Sequence, residues 1–275
     1  MNLGVSTYSY WHFERTKQPI YYYLDKASRH GFGGVEILED HIRELPVSEL
    51  KEVKRYAFSL GLDIYAVAIH NNFVNPSRDA RVKEVERVKE WLNKAYVLGA
   101  SIIRVNSGRW RTIPNFDDLM RNRGVEPPIP GYTDEDALKW VEEAIGMLIP
   151  VAEDLGIILG LENHWGVSAK AQYMVRMFND INSKYFRAIM DTGNFIEDTY
   201  NQLEAIAPYT AMVHAKTYFG GGVWYTLDID YDRVFEILRR HGFNGWISLE
   251  YEGREDYDSG VVKSRDLLIK YVRQY

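Results

Sequence analysis

Four polar residues end four apolar runs. Leu161-Glu162-Asn163-His164, Met190-Asp191-Thr192-Gly193-Asn194, Val213-His214-Ala215-Lys216 and Leu249-Glu250-Tyr251-Glu252 each place an ionisable side chain directly after aliphatic residues. Carboxylates brought close together repel one another and resist ionisation. One divalent cation would remove that conflict for Glu162, Asp191, His214 and Glu250. A set of oxygens with a single imidazole suits Mn, Mg, Co or Zn and does not choose among them. The chain contains no cysteine, which excludes disulfides, thiolate metal sites and cysteine nucleophiles.

These runs lie far apart in the chain, so the fold must bring their ends together. Short β-branched runs alternate with longer amphipathic segments. The strand candidates are Leu3–Thr7, Gly34–Leu38, Leu62–Ile69, Ile102–Asn106, Ile157–Glu162, Arg187–Asp191, Ala211–His214 and Trp246–Glu250. The helix candidates are Ile20–His30, Ser48–Leu60, Arg78–Leu98, Thr133–Leu155, Ala169–Asn182, Phe195–Ile206, Asp232–His241 and Gly260–Tyr275. Strands alternating with such helices imply parallel βαβ units. Glycines after the helices (Gly31, Gly61, Gly99, Gly156, Gly242) supply the left-handed stop before the next strand.

The length of 275 residues suits one α/β barrel, which needs about 250. The expected fold is therefore a (β/α)8 TIM barrel forming a single domain over 1–275. An open dinucleotide-binding sheet would want G-x-G-x-x-G after an early strand, and none is present. Gly220-Gly221-Gly222 lacks that spacing and reads as a loop. In such a barrel the polar strand ends converge on one mouth.

Composition narrows the partners. Hydrophobic residues make up 46% and charged residues 26%, enough for a large core and against disorder. A net charge of −6 argues against a nucleic-acid partner. The start MNLGVSTYSYW has no signal-peptide pattern, and no apolar run is long enough to span a membrane. A cytoplasmic protein that does not engage membranes is expected, and a homo-oligomer is compatible with this reading.

At the four strand ends the chain resembles the xylose isomerase-like TIM barrel superfamily, which includes sugar isomerases and epimerases and the endonuclease IV group of AP endonucleases. His70-Asn71, after the third strand, also looks familial. The resemblance runs over essentially the whole chain. It implies that Glu162, Asp191, His214 and Glu250 hold one divalent metal ion, and that Glu162 and Glu250 also act as acid and base on a small sugar, polyol or related carbonyl substrate. A metal chelating a carbonyl and a neighbouring hydroxyl acidifies the adjacent C–H and stabilises an enediolate, and a nearby carboxylate can then take the proton. His70, His164, Lys216 and Asn106 would bind substrate oxygens. The expected activity is sugar isomerisation or epimerisation. An inosose- or dehydroshikimate-type dehydratase could use the same site. An endonuclease IV-like phosphodiesterase would need more histidines, since Asn106 and Asn194 stand where ligand histidines would be. A non-catalytic sugar-binding barrel is the remaining alternative. Gly193-Asn194 also stands where several ketose epimerases carry a substrate-binding histidine, a departure that bears against the 3-epimerase assignment.

Other residues carry weaker expectations. Ser107–Tyr132 is long enough to be a lid, and its Arg109 and Arg111 could bind an acidic substrate. Glu36 could face the site or form an outward salt bridge. His30 and His241 should bond helix-end carbonyls at the opposite face, and His41 should be solvated. The cluster Tyr8-Ser9-Tyr10-Trp11-His12-Phe13 should line or close the mouth.

Overall fold

The computed structural model describes residues 1–12, 14 and 16–273. Strands β1 (Asn2–Ser6), β2 (Gly34–Leu38), β3 (Asp63–Ala68), β4 (Ile102–Val105), β5 (Ile158–Glu162), β6 (Phe186–Asp191), β7 (Thr210–Thr217) and β8 (Trp246–Tyr251) close into a barrel in chain order. Each strand is parallel to the next, and β8 pairs back onto β1 through Leu3 and Ile247. The layer outside them is α1 (Ile20–Arg29), α2 (Val47–Ser59), α3 (Arg78–Leu98), α4 (Phe116–Arg121), α5 (Asp134–Leu155), α6 (Ala171–Ile181), α7 (Thr199–Ile206), α8 (Tyr231–Arg240) and α9 (Tyr257–Val272). Among the described residues no helix is long and apolar enough to cross a membrane.

Local chemistry sets the boundaries. Thr133 and Asp136 form a reciprocal capping box that starts α5, and Gly156 ends it at φ +69°. The last helix starts three residues earlier than Gly260 because the Asp256 side chain accepts a hydrogen bond from the Asp258 N–H. Gly260 then sits inside the helix, where a Cβ would come within 2.3 Å of the Tyr251 ring. The expected end of that helix at Tyr275 lies outside the described residues, as does Phe13. The segment expected as a lid contains a short helix, α4.

Alternation along the strands sorts residues between two cores. Outward residues such as Ile37, Val67, Ile103 and Leu161 pack fully buried beneath the helices. The inward set forms a smaller cluster of Tyr65, Ala66, Ile102, Ile189 and Met212, with Tyr65 stacked on Trp246 at 4.3 Å between ring centroids. Above this apolar floor the inward positions turn polar: Glu36, Arg104, Glu162, Asp191, His214, Lys216, Ser248 and Glu250 are all buried. The floor closes the barrel, so chemistry is confined to the end where the strands finish.

Candidate active site

The four residues picked from the strand ends meet. One donor atom from each of Glu162, Asp191, His214 and Glu250 lies within 4.8 Å of the others, and all four side chains are buried. They come from consecutive strands β5 to β8, each at an inward-facing position near the end of its strand. His214 Nδ1 lies 2.9 Å from Glu162 Oε1 and 3.5 Å from Glu250 Oε1. Its other nitrogen, Nε2, lies 3.0 Å from Glu36 Oε1. Glu36 therefore faces inward and fixes the ring from behind, and Ser248, itself bonded by Tyr65, donates to the other Glu36 oxygen at 3.2 Å.

Each carboxylate has its own support. The buried Arg104 guanidinium lies 3.6 Å from Glu162, and Asn106 Nδ2 donates to Glu162 at 3.2 Å while its carbonyl accepts from Arg104. Lys216 Nζ donates to Glu250 at 2.9 Å and to Glu252 at 2.6 Å, and stands 3.4 Å from Asp191 Oδ2. Asp191 Oδ1 accepts from the Gly193 N–H, but Oδ2 has no hydrogen-bond partner among the described residues. A buried carboxylate oxygen left without a hydrogen bond is costly, and the Lys216 ammonium near it is shared with Glu250 and Glu252.

Burial penalises every one of these charges, and the neighbours decide the outcome. For His214 burial alone would lower the pKa, but Glu250, Glu36 and Glu162 outweigh it and hold the imidazole well above its usual value. Burial likewise opposes the Lys216 ammonium and is overcome by Asp191, Glu250 and Glu252. Glu162 and Glu250 are pushed up by burial but held below the usual range, the first by Arg104 and the histidines and the second by His214 and Lys216. Asp191 and Glu252 go the other way: burial raises both despite Lys216. The protein's own cations thus cover two of the carboxylates and leave Asp191 short of positive charge.

A cavity of about 250 Å³ opens above this cluster, lined by Arg104, Glu162, His164, Lys216, Glu250 and Glu252 and roofed by aromatic residues. His164 stands beside the Trp165 indole at 4.2 Å between centroids; its Nδ1 has no hydrogen-bond partner among the described residues, and burial lowers its pKa to about 4. His70 lies on the rim, held at its backbone by Glu39 and Arg87. Asn106 lies behind Glu162, not in the cavity wall. Tyr8 reaches the wall from the first aromatic cluster, while His12 closes the rim by bonding the Tyr251 carbonyl.

Several expectations need correction. His41 is buried, stacked on Tyr23 at 4.1 Å and bonded to Thr7 Oγ1 at 2.9 Å, because the chain after β2 folds into a short turn beneath the α1 aromatic residues. His30 and His241 meet side chains instead of helix-end carbonyls: His30 meets Tyr10 and Asp258, and His241 meets Glu204. Arg109 is engaged inside the lid loop by Glu126 at 2.5 Å. Gly220-Gly221-Gly222 is a loop, as expected, with one isolated bridge from Gly222 to Gly253.

Arg104 and Glu252 were not picked from the sequence. A signal was present for each: Arg104 lies two residues before Asn106 and Glu252 two after Glu250, so alternation puts each pair on the same face.

A family model described as xylose isomerase-like TIM barrel matches residues 24–271. The chain belongs to that family. None of the curated proteins matches it in sequence. Among solved structures it is similar to D-psicose 3-epimerase from Clostridium cellulolyticum H10, crystallised with D-tagatose, at 18% identity and a TM-score of 0.80 over 99% of each chain. It is similar to 3-keto-D-glucoside 4-epimerase from E. coli at 20% identity and a TM-score of 0.77, over 98% of this chain and 99% of that one. The IOLI protein, crystallised with a zinc atom, is similar at 15% identity and a TM-score of 0.74, over 100% of this chain and 99% of that one. At these identities the likeness carries the fold.

Proposed function

We propose that this barrel is an enzyme, a divalent-metal-dependent sugar isomerase or epimerase that moves a proton at a carbon next to a carbonyl. The observation that carries the reading is the buried cluster of Glu162, Asp191, His214 and Glu250, whose Asp191 oxygen has no donor and whose ligand atoms lie within 4.8 Å of one another. The donor set fits a hard or borderline cation. Glu36 behind His214 is the carboxylate–histidine arrangement that orients a ligand imidazole. Bound there, the cation would polarise a substrate carbonyl and acidify the neighbouring C–H.

The chain's own groups supply the remaining steps. Glu162 and Glu250 stand on strands three apart in the ring of eight, so a substrate in the cavity is flanked by both. One carboxylate removes the proton and the other can return one from the opposite side, which is epimerisation. If one carboxylate moves the proton between adjacent carbons, the outcome is isomerisation. Arg104 and Asn106 hold Glu162 in place, and Lys216 with Glu252 holds Glu250. Lys216 is also placed to stabilise developing negative charge on a substrate oxygen. His164 lines the cavity, where its ring can meet a substrate hydroxyl. Both neutral and paired groups line the cavity, which suits a polyhydroxylated carbonyl compound. The structural neighbours include sugar epimerases, which supports the same substrate class.

The test is exchange of substrate hydrogen with deuterated water, read by mass spectrometry, over ketoses, inososes and hydroxy-keto acids with Mn or Mg. Exchange with the carbon skeleton retained is expected. Exchange followed by loss of one water would mark a dehydratase instead. Absence of exchange with every carbonyl compound would overturn the proposal, and cleavage of abasic DNA in that case would point to the nuclease branch of the family.

A further inference from the structure

A second cavity of about 320 Å³ adjoins the first, sharing His164, Trp165 and Asn194 as lining residues. It lies farther out, between the lid loop and the turns that follow β5 and β6. Its far side carries Trp110, Ala169, Ile196 and the polar groups of Asp134, Lys170 and Glu197. Two polar atoms at the boundary have no hydrogen-bond partner among the described residues: His164 Nδ1 and Asn194 Nδ2. Both atoms are covered in this structure, but the residues that carry them line both cavities, so the boundary a two-part ligand would cross is polar on this side.

The boundary is also tightly built. Gly124, at φ +78°, brings the lid backbone so close to Trp165 that a Cβ there would come within 2.1 Å of the indole. Phe116 meets the same indole edge-on at 6.4 Å between centroids. The indole is thus held from the lid side as a fixed wall between the two spaces.

Charge narrows the ligand. The outer cavity is lined by Glu126, Asp134 and Glu197 against Arg123 and Lys170. The inner one is lined by Glu162, Glu250 and Glu252 against Arg104 and Lys216. In the inner cavity Glu162 and Glu250 are committed to the proposed cation, and Arg104 and Lys216 are already paired; in the outer one Lys170 is paired with Asp134 and Arg123 lies over the Tyr225 ring. Neither cavity offers the unpaired cation cluster that a phosphate recruits. Aromatic walls with a few scattered hydrogen-bonding groups suit an uncharged ring carrying hydroxyls.

We propose that the substrate is a neutral two-ring saccharide: a carbonyl-bearing sugar unit in the inner cavity, linked to a second, uncharged sugar ring in the outer one, with His164, Trp165 and Asn194 lining the junction. This rests on the carbonyl chemistry proposed above for the inner site. It makes the outer cavity a specificity subsite, and Trp165 the residue that sets the angle between the two rings.

The experiment compares deuterium exchange kinetics for matched pairs: fructose against glucosyl-substituted fructoses with a free ketone, and methyl 3-keto-glucoside against a 3-keto-disaccharide. The two-ring member of at least one pair is expected to show about tenfold higher kcat/KM or more, the scale of one good contact. Ala169→Trp, which fills the outer cavity, should abolish that preference and leave exchange on the single-ring substrate unchanged. Ala169→Leu should give an intermediate ratio and guards against a folding defect. Equal kcat/KM for one- and two-ring substrates, or a preference that survives Ala169→Trp, would overturn the proposal. Failure of the carbonyl reading is separable from this, because binding of unreactive disaccharides and methyl glycosides can be followed by ligand-observed NMR. Disaccharide binding that Ala169→Trp weakens, with no exchange on any substrate, would keep the subsite and discard the chemistry. No binding of either class would discard the subsite.

Discussion

Two clusters in this molecule combine acids with a histidine at metal-ligand spacing, and they are built for different ends. The first is Glu162, Asp191, His214 and Glu250, wholly buried; the second is Glu39, Asp40 and His70, graded from buried Glu39 to exposed His70. In the second, arginines have already taken the place a cation would fill. Arg87 lies 3.0 Å from Glu39, and Arg43 lies 3.5 Å from Glu39 and 3.2 Å from Asp40. The Glu39 carboxylate also accepts from the His70 N–H at 2.7 Å, tying the turn after β2 to the end of β3. In the first cluster Lys216 reaches Asp191 only at 3.4 Å, and one Asp191 oxygen keeps no donor among the described residues. Residue type and spacing are alike in the two clusters; what sets the proposed metal site apart from the ion-pair knot is how much charge neighbouring side chains already supply.

The comparison can be broken most directly at its two aspartates. Asp191→Asn should abolish tight binding of Mn or Mg, lowering affinity by more than about a hundredfold, since the loss of a direct ligand should exceed the 10–100-fold typical of an outer-shell partner. Asp40→Asn should leave the metal content unchanged. Metal analysis after dialysis reads both, and equal metal content in the two variants would remove the distinction drawn here.

A smaller effect should appear in the acid stability of the segment that carries the second cluster. His41 belongs to the same turn as Glu39 and Asp40. Burial first, and then Lys17, lowers its pKa to about 3. Its ring faces Tyr23, Trp11 and Thr7. The folded state therefore binds this proton later than the unfolded chain does, whose histidine titrates near 6.5. Stability from this group is full above pH 6.5, falls as pH drops toward about 3, and levels off below that. The total is a few kcal/mol, at about 1.4 kcal/mol per pH unit where steepest. Urea unfolding of the wild type and His41→Phe between pH 7 and 4 should show the gap between them moving in the variant's favour as pH falls. A constant gap would mean that His41 does not titrate in this way.

Glu36→Gln sharpens the contrast within the first cluster. Glu36 meets His214 at Nε2, the nitrogen away from Glu162 and Glu250, so its loss should weaken metal affinity by about 10–100-fold without changing the number of ions bound. Isothermal titration with Mn checks this, and an unchanged Kd would demote Glu36 to a packing residue. The smallest effect is expected for Glu39→Gln. Arg87 is partly exposed and can recover water, so the cost should be about 1–2 kcal/mol of stability, with metal binding intact. A shift in metal affinity there would show that the two clusters are coupled.

Much of the fold was legible because the barrel is repetitive. Most units have a buried strand, a glycine-stopped helix and a polar strand end, and these are local signals; α6 is instead capped by Asn182 and α7 by Ala207. The four residues at the heart of the site were legible for the same reason: alternation fixes which side of a strand a residue faces, and the strand's last turn inward falls at the mouth. The lid helix α4 was not legible, since Phe116–Arg121 spans only six residues and so short a segment carries almost no periodicity.

By itself the sequence determined the closed parallel architecture and the convergence of Glu162, Asp191, His214 and Glu250, because period-two alternation and strand ends are properties of short segments. Only the tertiary structure decided which of the remaining charges belong to the site. His214 meets Glu36 across 178 residues of chain, Lys216 meets Glu252 across 36, and Arg109 is claimed by Glu126 inside its own loop. Those pairings follow from how strands close into a ring and how loops fold over it, and a buried charge takes its partner from whichever element packs against it.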